Sequence, residues 1–229
     1  MSSADPSVTT RPPGDSTERE PVLIGDPLVA RIPVRDNAER MVALDWMSGP
    51  ALGVARLVRA GVADRLAAAQ AALPDGVRLH LSEGLRHAAD QRTIIASYRA
   101  LLRRERPDAD GAELDRLTSR YVAPLAVAPH VAGAAVDLTL ADPQGRPLPM
   151  GSALDATPEE SDGACFFAAP GIGAEARHNR DLLARALGGA GLVNYPTEWW
   201  HWSFGDRYWA HRTGAAHACY GPVLAEAAA

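Results

Sequence analysis

Residues 133–140 read Gly-Ala-Ala-Val-Asp-Leu-Thr-Leu and alternate without a break. Ala134, Val136, Leu138 and Leu140 fall on one side, and Gly133, Ala135, Asp137 and Thr139 fall on the other. Alternation with period two is the mark of a β-strand. The first side suits a core. The second is a floor of small residues with one carboxylate standing on it. Whatever this chain folds into must contain that strand.

The elements around it follow from spacing. Val54, Leu57, Val58, Val62, Leu66 and Ala69 recur at three and four, which predicts a helix from Ala51 to Leu73, interrupted at Gly61 and ended by Pro74-Asp-Gly. Val77, Leu79 and Leu81 alternate with Arg78 and His80, a half-buried strand that runs into a loop at Ser82-Glu83-Gly84-Leu85-Arg86. Helices are predicted over Ala88–Arg104, Asp110–Tyr121 and Ala174–Leu187, the last ended by glycines 188, 189 and 191. Trp199 to Phe204 is dense in aromatics and reads as strand. The order predicts an α+β domain with a small central antiparallel sheet and flanking helices.

The chain has 229 residues, 47% hydrophobic and 22% charged, which excludes wholesale disorder and fibrous structure. A net charge of −5 leaves no footprint for nucleic acid or an anionic membrane surface. All 23 basic residues are Arg. No apolar run approaches the ~20 residues of a membrane helix. Residues 1–20 are polar and Pro-rich, without the basic and apolar regions of a secretory signal. They are expected to form a flexible tail before a single domain over 21–229, and the protein is expected in the cytoplasm. The C-terminal Ala-Glu-Ala-Ala-Ala is expected to fray. Cys165 and Cys219 are too few for a disulfide framework and have no cationic neighbour in sequence, so both are expected to be free and structural.

Two segments carry chemistry. His130 follows Pro129, which forces an extended approach, and Asp137 stands seven residues on. A loop-end imidazole and a strand carboxylate can converge, with Gly133 and Ala135 leaving room. Taken alone, the pair is better accounted for by a surface His and a solvated Asp. The second segment is Glu198-Trp199-Trp200-His201-Trp202. A carboxylate and an imidazole among three Trp are costly to bury without a shared ligand. An aromatic core strand with two incidental polar residues is the alternative. A regular strand sets positions 198 and 201 on opposite faces, so Glu198 must sit at a bend or have a role of its own. Together, His130, Asp137 and His201 make a zinc shell with its fourth position open, as in catalytic sites. Glu198 is then placed as general base on the metal-bound water, and Arg86 offers a cation for a developing oxyanion. That set fits metal-assisted hydrolysis of an amide. His80, His178, His211 and His217 read as surface or local hydrogen-bonding groups, and His87 adjoins Arg86.

In these segments the sequence resembles the zinc D-alanyl-D-alanine dipeptidases, within the zinc D-Ala-D-Ala peptidases. The resemblance rests on His130-Val-Ala-Gly-Ala-Ala-Val-Asp137, on Met150-Gly151-Ser152-Ala-Leu-Asp155 and on Glu198-Trp-Trp-His201. Glu83-Gly84-Leu85-Arg86-His87 is similar to the family's Asp-Gly-Tyr-Arg-Pro. It implies the family's hedgehog-like α+β fold, one Zn2+ per chain on His130, Asp137 and His201, Glu198 as base and Arg86 polarising the scissile carbonyl. It also implies that Asp155 lies near the amino end of a small dipeptide substrate, most plausibly D-Ala-D-Ala. Ala128 stands where the family has a substrate-holding Ser, and Leu85 and His87 alter the pocket wall. Three rival readings remain: a D,D-carboxypeptidase on longer wall peptides, a catalytically silent zinc-binding interaction module, and a non-haem iron oxygenase. In the last, the carboxylate usually lies two residues from the first His, whereas here it lies seven away.

Overall fold

The computed structural model describes residues 21–223. The tail expected over 1–20 and the frayed end expected at 225–229 lie outside the described residues. The elements in chain order are α1 (Pro27–Ala30), β1 (Met41–Ala43), β2 (Leu57–Arg59), α2 (Ala60–Ala71), β3 (Arg78–Glu83), α3 (Ala88–Glu105), α4 (Gly111–Thr118), β4 (Ala135–Ala141), α5 (Ala174–Gly189), β5 (Val193–Asn194), β6 (His201–Ser203) and α6 (Arg207–Thr213). The four-stranded antiparallel sheet has the order β3-β4-β6-β5, and β1 pairs with β2 in a separate ribbon. The class is α+β, as the alternation and helical spacing predict. Among the described residues no helix is long and apolar enough to cross a membrane.

β4 is the middle of the molecule. Every residue from Ala135 to Ala141 is buried, on both faces. Val136, Leu138 and Leu140 join a core with Val62 and Leu66 of α2, Leu183 and Leu187 of α5, and Trp199, Trp200 and Trp202. Full burial of one such aliphatic side chain stabilises the fold by about 1.5–3 kcal/mol. Helices α3 and α4 build a smaller core of their own from Tyr98, Leu102, Leu114, Leu117 and Val122.

The expected helix over Ala51–Leu73 is the main correction. Only Ala60–Ala71 is α-helical; Gly53–Arg56 is a 3₁₀ turn and Leu57–Arg59 is strand. Val54, which helical spacing assigned to the buried face, is 38% exposed. Long-range bonds override the period here. Arg59 donates from its backbone to Gly133 O at 2.9 Å and from Nε to Ala132 O at 3.0 Å, fixing an extended residue where a helix would have continued. Smaller shifts have local causes. The helix expected over 110–121 ends at Thr118, and the strand expected over 199–204 is His201–Ser203 because Trp199 and Trp200 lie in a turn.

Candidate metal centre

Three backbone devices deliver the site's side chains. Asp137 and His201 are directly opposed across β4 and β6, so their side chains share a face. His130 arrives from a 3₁₀ turn, His130–Ala132, closed by Gly133 at φ 62, a left-handed conformation that glycine adopts without cost. The third device is a bulge. In β3, Leu81 opposes Leu138 but Glu83, not Ser82, opposes Asp137. The extra residue re-aims the strand and sets a second carboxylate beside Asp137.

The three donors form a tight triangle. His130 Nε2 lies 3.1 Å from His201 Nδ1 and 3.2 Å from Asp137 Oδ2, and His201 Nδ1 lies 3.0 Å from Asp137 Oδ1. All three residues are buried. His130 Nδ1 donates to the Gly84 carbonyl at 2.7 Å, so the neutral ring keeps its Nε2 lone pair turned toward the other two donors. Gly84 is needed for that approach, since a Cβ there would meet Leu57 O at 2.6 Å. Two ring nitrogens and a carboxylate cannot all satisfy one another at such distances without a shared proton or cation. An ion with bonds of about 2.0–2.1 Å in tetrahedral geometry sets its donors about 3.3 Å apart. The triangle fits such an ion. Burial opposes charge on His130 and on Asp137, but their mutual attraction outweighs it, raising the His130 pKa and lowering that of Asp137.

Glu198 sits in the turn before β6, the bend that the spacing to His201 requires. Its Oε2 is 3.7 Å from His201 Nδ1, and Asn194 Nδ2 fixes the turn by donating to Glu198 O at 2.9 Å. Burial first, then the Asp137 and Asp155 carboxylates, push its pKa well above the usual range, with Arg86 pulling the other way. Arg86 donates from Nε to Glu83 Oε1 at 2.8 Å and from a terminal nitrogen to Gln91 Oε1 at 2.8 Å. Burial disfavours its charge, yet Glu83 holds it firmly cationic.

These groups line a pocket of about 250 Å³ that also contains Asp155, Tyr121 and Tyr195. Asp155 is a residue at φ 64 whose carbonyl accepts from Tyr121 Oη at 3.0 Å. Asp155 as a whole residue is exposed, but partial burial of its carboxyl, then Asp137 and Glu83, raise its pKa to about 7. The fold thus brings every proposed site residue to one pocket. Ala128 is buried and Pro129 lines the pocket in its place. His87 and His178 are exposed, and His80 pairs with Ser48 at 3.0 Å. Cys165 and Cys219 are both free, and burial raises the pKa of each. Four polar pocket residues were not singled out as site residues by the sequence reading: Glu83, Gln91, Tyr121 and Tyr195. Glu83 had a signal, since it heads the segment that carries Arg86. The others are single polar residues outside any pattern.

Three open-faced donors, an adjacent carboxylate and a guanidinium in one pocket define the equipment of a hydrolase that works with a single metal ion. Residues 105–218, just under half of the chain, match the family described as D-ala-D-ala dipeptidase. The segment contains His130, Asp137, Asp155, Glu198 and His201 and leaves Arg86 outside it. The chain is 34% identical over 101 residues to the D-alanyl-D-alanine dipeptidase of Synechocystis sp. (strain ATCC 27184 / PCC 6803 / Kazusa), covering 41% of each chain. It is 39% identical over 72 residues to the enzyme of that name from Escherichia coli (strain K12), covering 31% of this chain and 35% of the relative. The matched parts therefore span well under half of either relative. A solved structure, that of the LdcB LD-carboxypeptidase, aligns with TM-score 0.40 and 18% identity over 77% of this chain and 73% of the other.

Proposed function

We propose that this chain is a zinc peptidase that hydrolyses a short dipeptide of D-amino acids, most plausibly D-alanyl-D-alanine. The observation that carries the reading is the buried His130–Asp137–His201 triangle with Glu198 3.7 Å away, inside a pocket of about 250 Å³. That volume lies below the ~300–1,000 Å³ of pockets that enclose drug-sized ligands. It suits a substrate of two small residues.

His130, Asp137 and His201 would hold the metal. Zinc bound there would act as a Lewis acid and make water a nucleophile near neutral pH. Glu198, with a raised pKa, takes a proton from the attacking water and passes it to the leaving amine. Arg86, oriented by Glu83 and Gln91, donates hydrogen bonds to the carbonyl oxygen as charge develops on it. The Asp155 carboxylate pairs with the substrate's free ammonium. Under the same proposal, residues 21–229 form one domain of the D-Ala-D-Ala peptidase (hedgehog-like) type. The continuous core from Leu44 to Tyr220 supports this. A cytoplasmic location belongs to the proposal too, and fractionation of cells carrying the native chain tests it.

The deciding experiment is amine release from D,D-, L,D- and L,L-dipeptides beside longer and N-blocked peptides, with the metal content of the purified protein measured in parallel. Free D,D-dipeptides should be cut fastest with one zinc per chain. Equal cleavage of longer or N-blocked peptides would replace this reading with a carboxypeptidase. Zinc without any cleavage would favour the interaction module, and iron would favour the oxygenase.

A further inference from the structure

Two of the segments that bound the pocket share no secondary-structure element. One is the unit built by α3, α4 and the turn to Tyr121, with its own small core. The other is the irregular segment from Met150 to Ala169. Arg180 Nε donates to Met150 O at 2.7 Å, and Arg177 donates to Phe167 O and Ala169 O at 2.8 Å, holding the second wall from behind.

Across the gap the walls are joined side chain by side chain. Tyr121 Oη donates to the Asp155 carbonyl at 3.0 Å. Tyr98 Oη donates to Glu159 Oε2 at 2.8 Å. Arg120 lies 3.7 Å from Glu159 Oε1 and 5.5 Å from the centre of the Phe166 ring. Tyr98 and Tyr121 pack ring to ring with centroids 4.8 Å apart. Tyr121 and Asp155 both line the pocket, and their hydrogen bond is exposed, so it crosses the opening. The Tyr98 end of the set is buried. Asp155 is held at φ 64, a conformation uncommon outside glycine, with its carbonyl taken by Tyr121.

We infer that Tyr121, Tyr98, Arg120 and Glu159 form a clasp that fixes the length of peptide the pocket accepts. The inference rests on the peptidase reading, in which the Asp155 carboxylate meets the substrate's ammonium. With the substrate's ammonium at Asp155, a residue added at its amino end meets the Tyr121–Asp155 hydrogen bond, which stands in its path. The clasp excludes longer peptides by geometry, and the Asp155 carboxylate separately disfavours an uncharged amino end.

The test compares D-Ala-D-Ala with D-Ala-D-Ala-D-Ala on the full zinc-loaded chain. Binding is read by calorimetry in a Glu198→Gln background, cleavage is read in the wild-type background, and amide hydrogen exchange is followed over residues 153–160. Unmodified, the chain should favour the dipeptide by about tenfold or more, the scale at which a pocket discriminates one small group. Tyr121→Phe removes only the hydroxyl that bonds Asp155, and Glu159→Gln only the charge that Tyr98 and Arg120 share. Each should bring the two peptides within about threefold and raise exchange over 153–160. An unchanged preference with faster exchange overturns the clasp as a length gate. Unchanged exchange in both variants overturns it as a clasp. A chain that binds the dipeptide selectively but does not cut it removes the peptidase reading and leaves the clasp standing. One that cuts both peptides equally does the reverse, and one that binds neither removes both.

Discussion

Asp137 and Asp155 bring carboxylates to the same pocket by opposite means. Asp137 stands on a strand that is buried from end to end, with its backbone in a ladder and its oxygens 3.0 and 3.2 Å from two imidazoles. Asp155 stands on a segment without regular structure, several of whose carbonyls are taken by arginines. Arg180 is fully buried and donates to Met150 O, Phe166 O and Ala164 O at 2.7, 2.6 and 2.7 Å. Burial, then the neighbouring charge of Arg177, lower its pKa to about 10. One carboxylate is held ionised by partners that suit a metal. The other is pushed to about 7 by partial burial and by Asp137 and Glu83, against a weaker pull from Arg86. A rigid strand suits a ligand whose position must hold within tenths of an ångström; a pinned loop suits a group that meets a varying substrate.

The largest break comes at the strand. Asp137→Ala should abolish activity and metal content together, because it removes one donor and leaves two imidazoles facing each other; His130→Ala and His201→Ala should do the same. Full zinc occupancy in any of these, measured by atomic absorption, would remove that residue from the shell. Next is Glu198→Ala, which should keep the metal and lower kcat by about 10²–10⁴-fold. Loss of metal along with activity would show Glu198 to be a ligand and not the base.

On the loop side, Arg180→Met should act on stability first. It leaves the carbonyls of Met150 and Ala164 without their donor and that of Phe166 with only the Ala169 amide. Each unsatisfied buried group costs about 1–3 kcal/mol, less where water enters. Urea unfolding should show a loss of a few kcal/mol on that scale, while zinc content at 25 °C stays unchanged. A loss of zinc without a loss of stability would mean that Arg180 supports the strand and not the loop.

The same contrast explains what could be read from the sequence. β4 was legible because large apolar residues on one face alternate with small or polar ones on the other, although both faces are buried. The Glu-Trp-Trp-His segment was legible because polar residues among large aromatics demand a reason. The Ala51–Leu73 prediction failed because Leu57 and Val58 keep helical spacing, while the bonds that make them a strand come from Met41–Ala43 and Gly133. Glu83 reached the pocket through a one-residue bulge, which spacing alone does not reveal. Gln91, Tyr121 and Tyr195 are tied in by contacts over long separations: Gln91 Nε2 donates to Ala123 O at 2.7 Å, and the Tyr195 hydroxyl accepts from Ile24 N at 3.1 Å. Such residues leave no periodic trace.

The smallest expected effects belong to Asp155. Asp155→Ala should raise KM or lower kcat/KM on a free dipeptide by about tenfold, since the ammonium then lacks its partner, and N-acetylated dipeptides should be poor substrates for the same reason. Asp155→Asn separates charge from strain, because Asn tolerates φ 64 as Asp does. The folded-state pKa of about 7 lies above the ordinary 3.8, so ionisation is disfavoured in the fold. In the metal-free chain the penalty is absent below about pH 4, where Asp155 is protonated folded and unfolded alike. It grows as pH rises toward 7 and is complete above it. Asp155→Asn should therefore raise the Tm of the metal-free chain more at pH 8 than at pH 5. A divalent cation on Asp137 offsets the repulsion that Asp155 feels, so the gain should shrink when zinc is added. A gain that is equal at pH 5 and pH 8 would mean that the Asp155 carboxyl is solvated like any surface acid, and its pairing with a substrate ammonium would lose its physical basis.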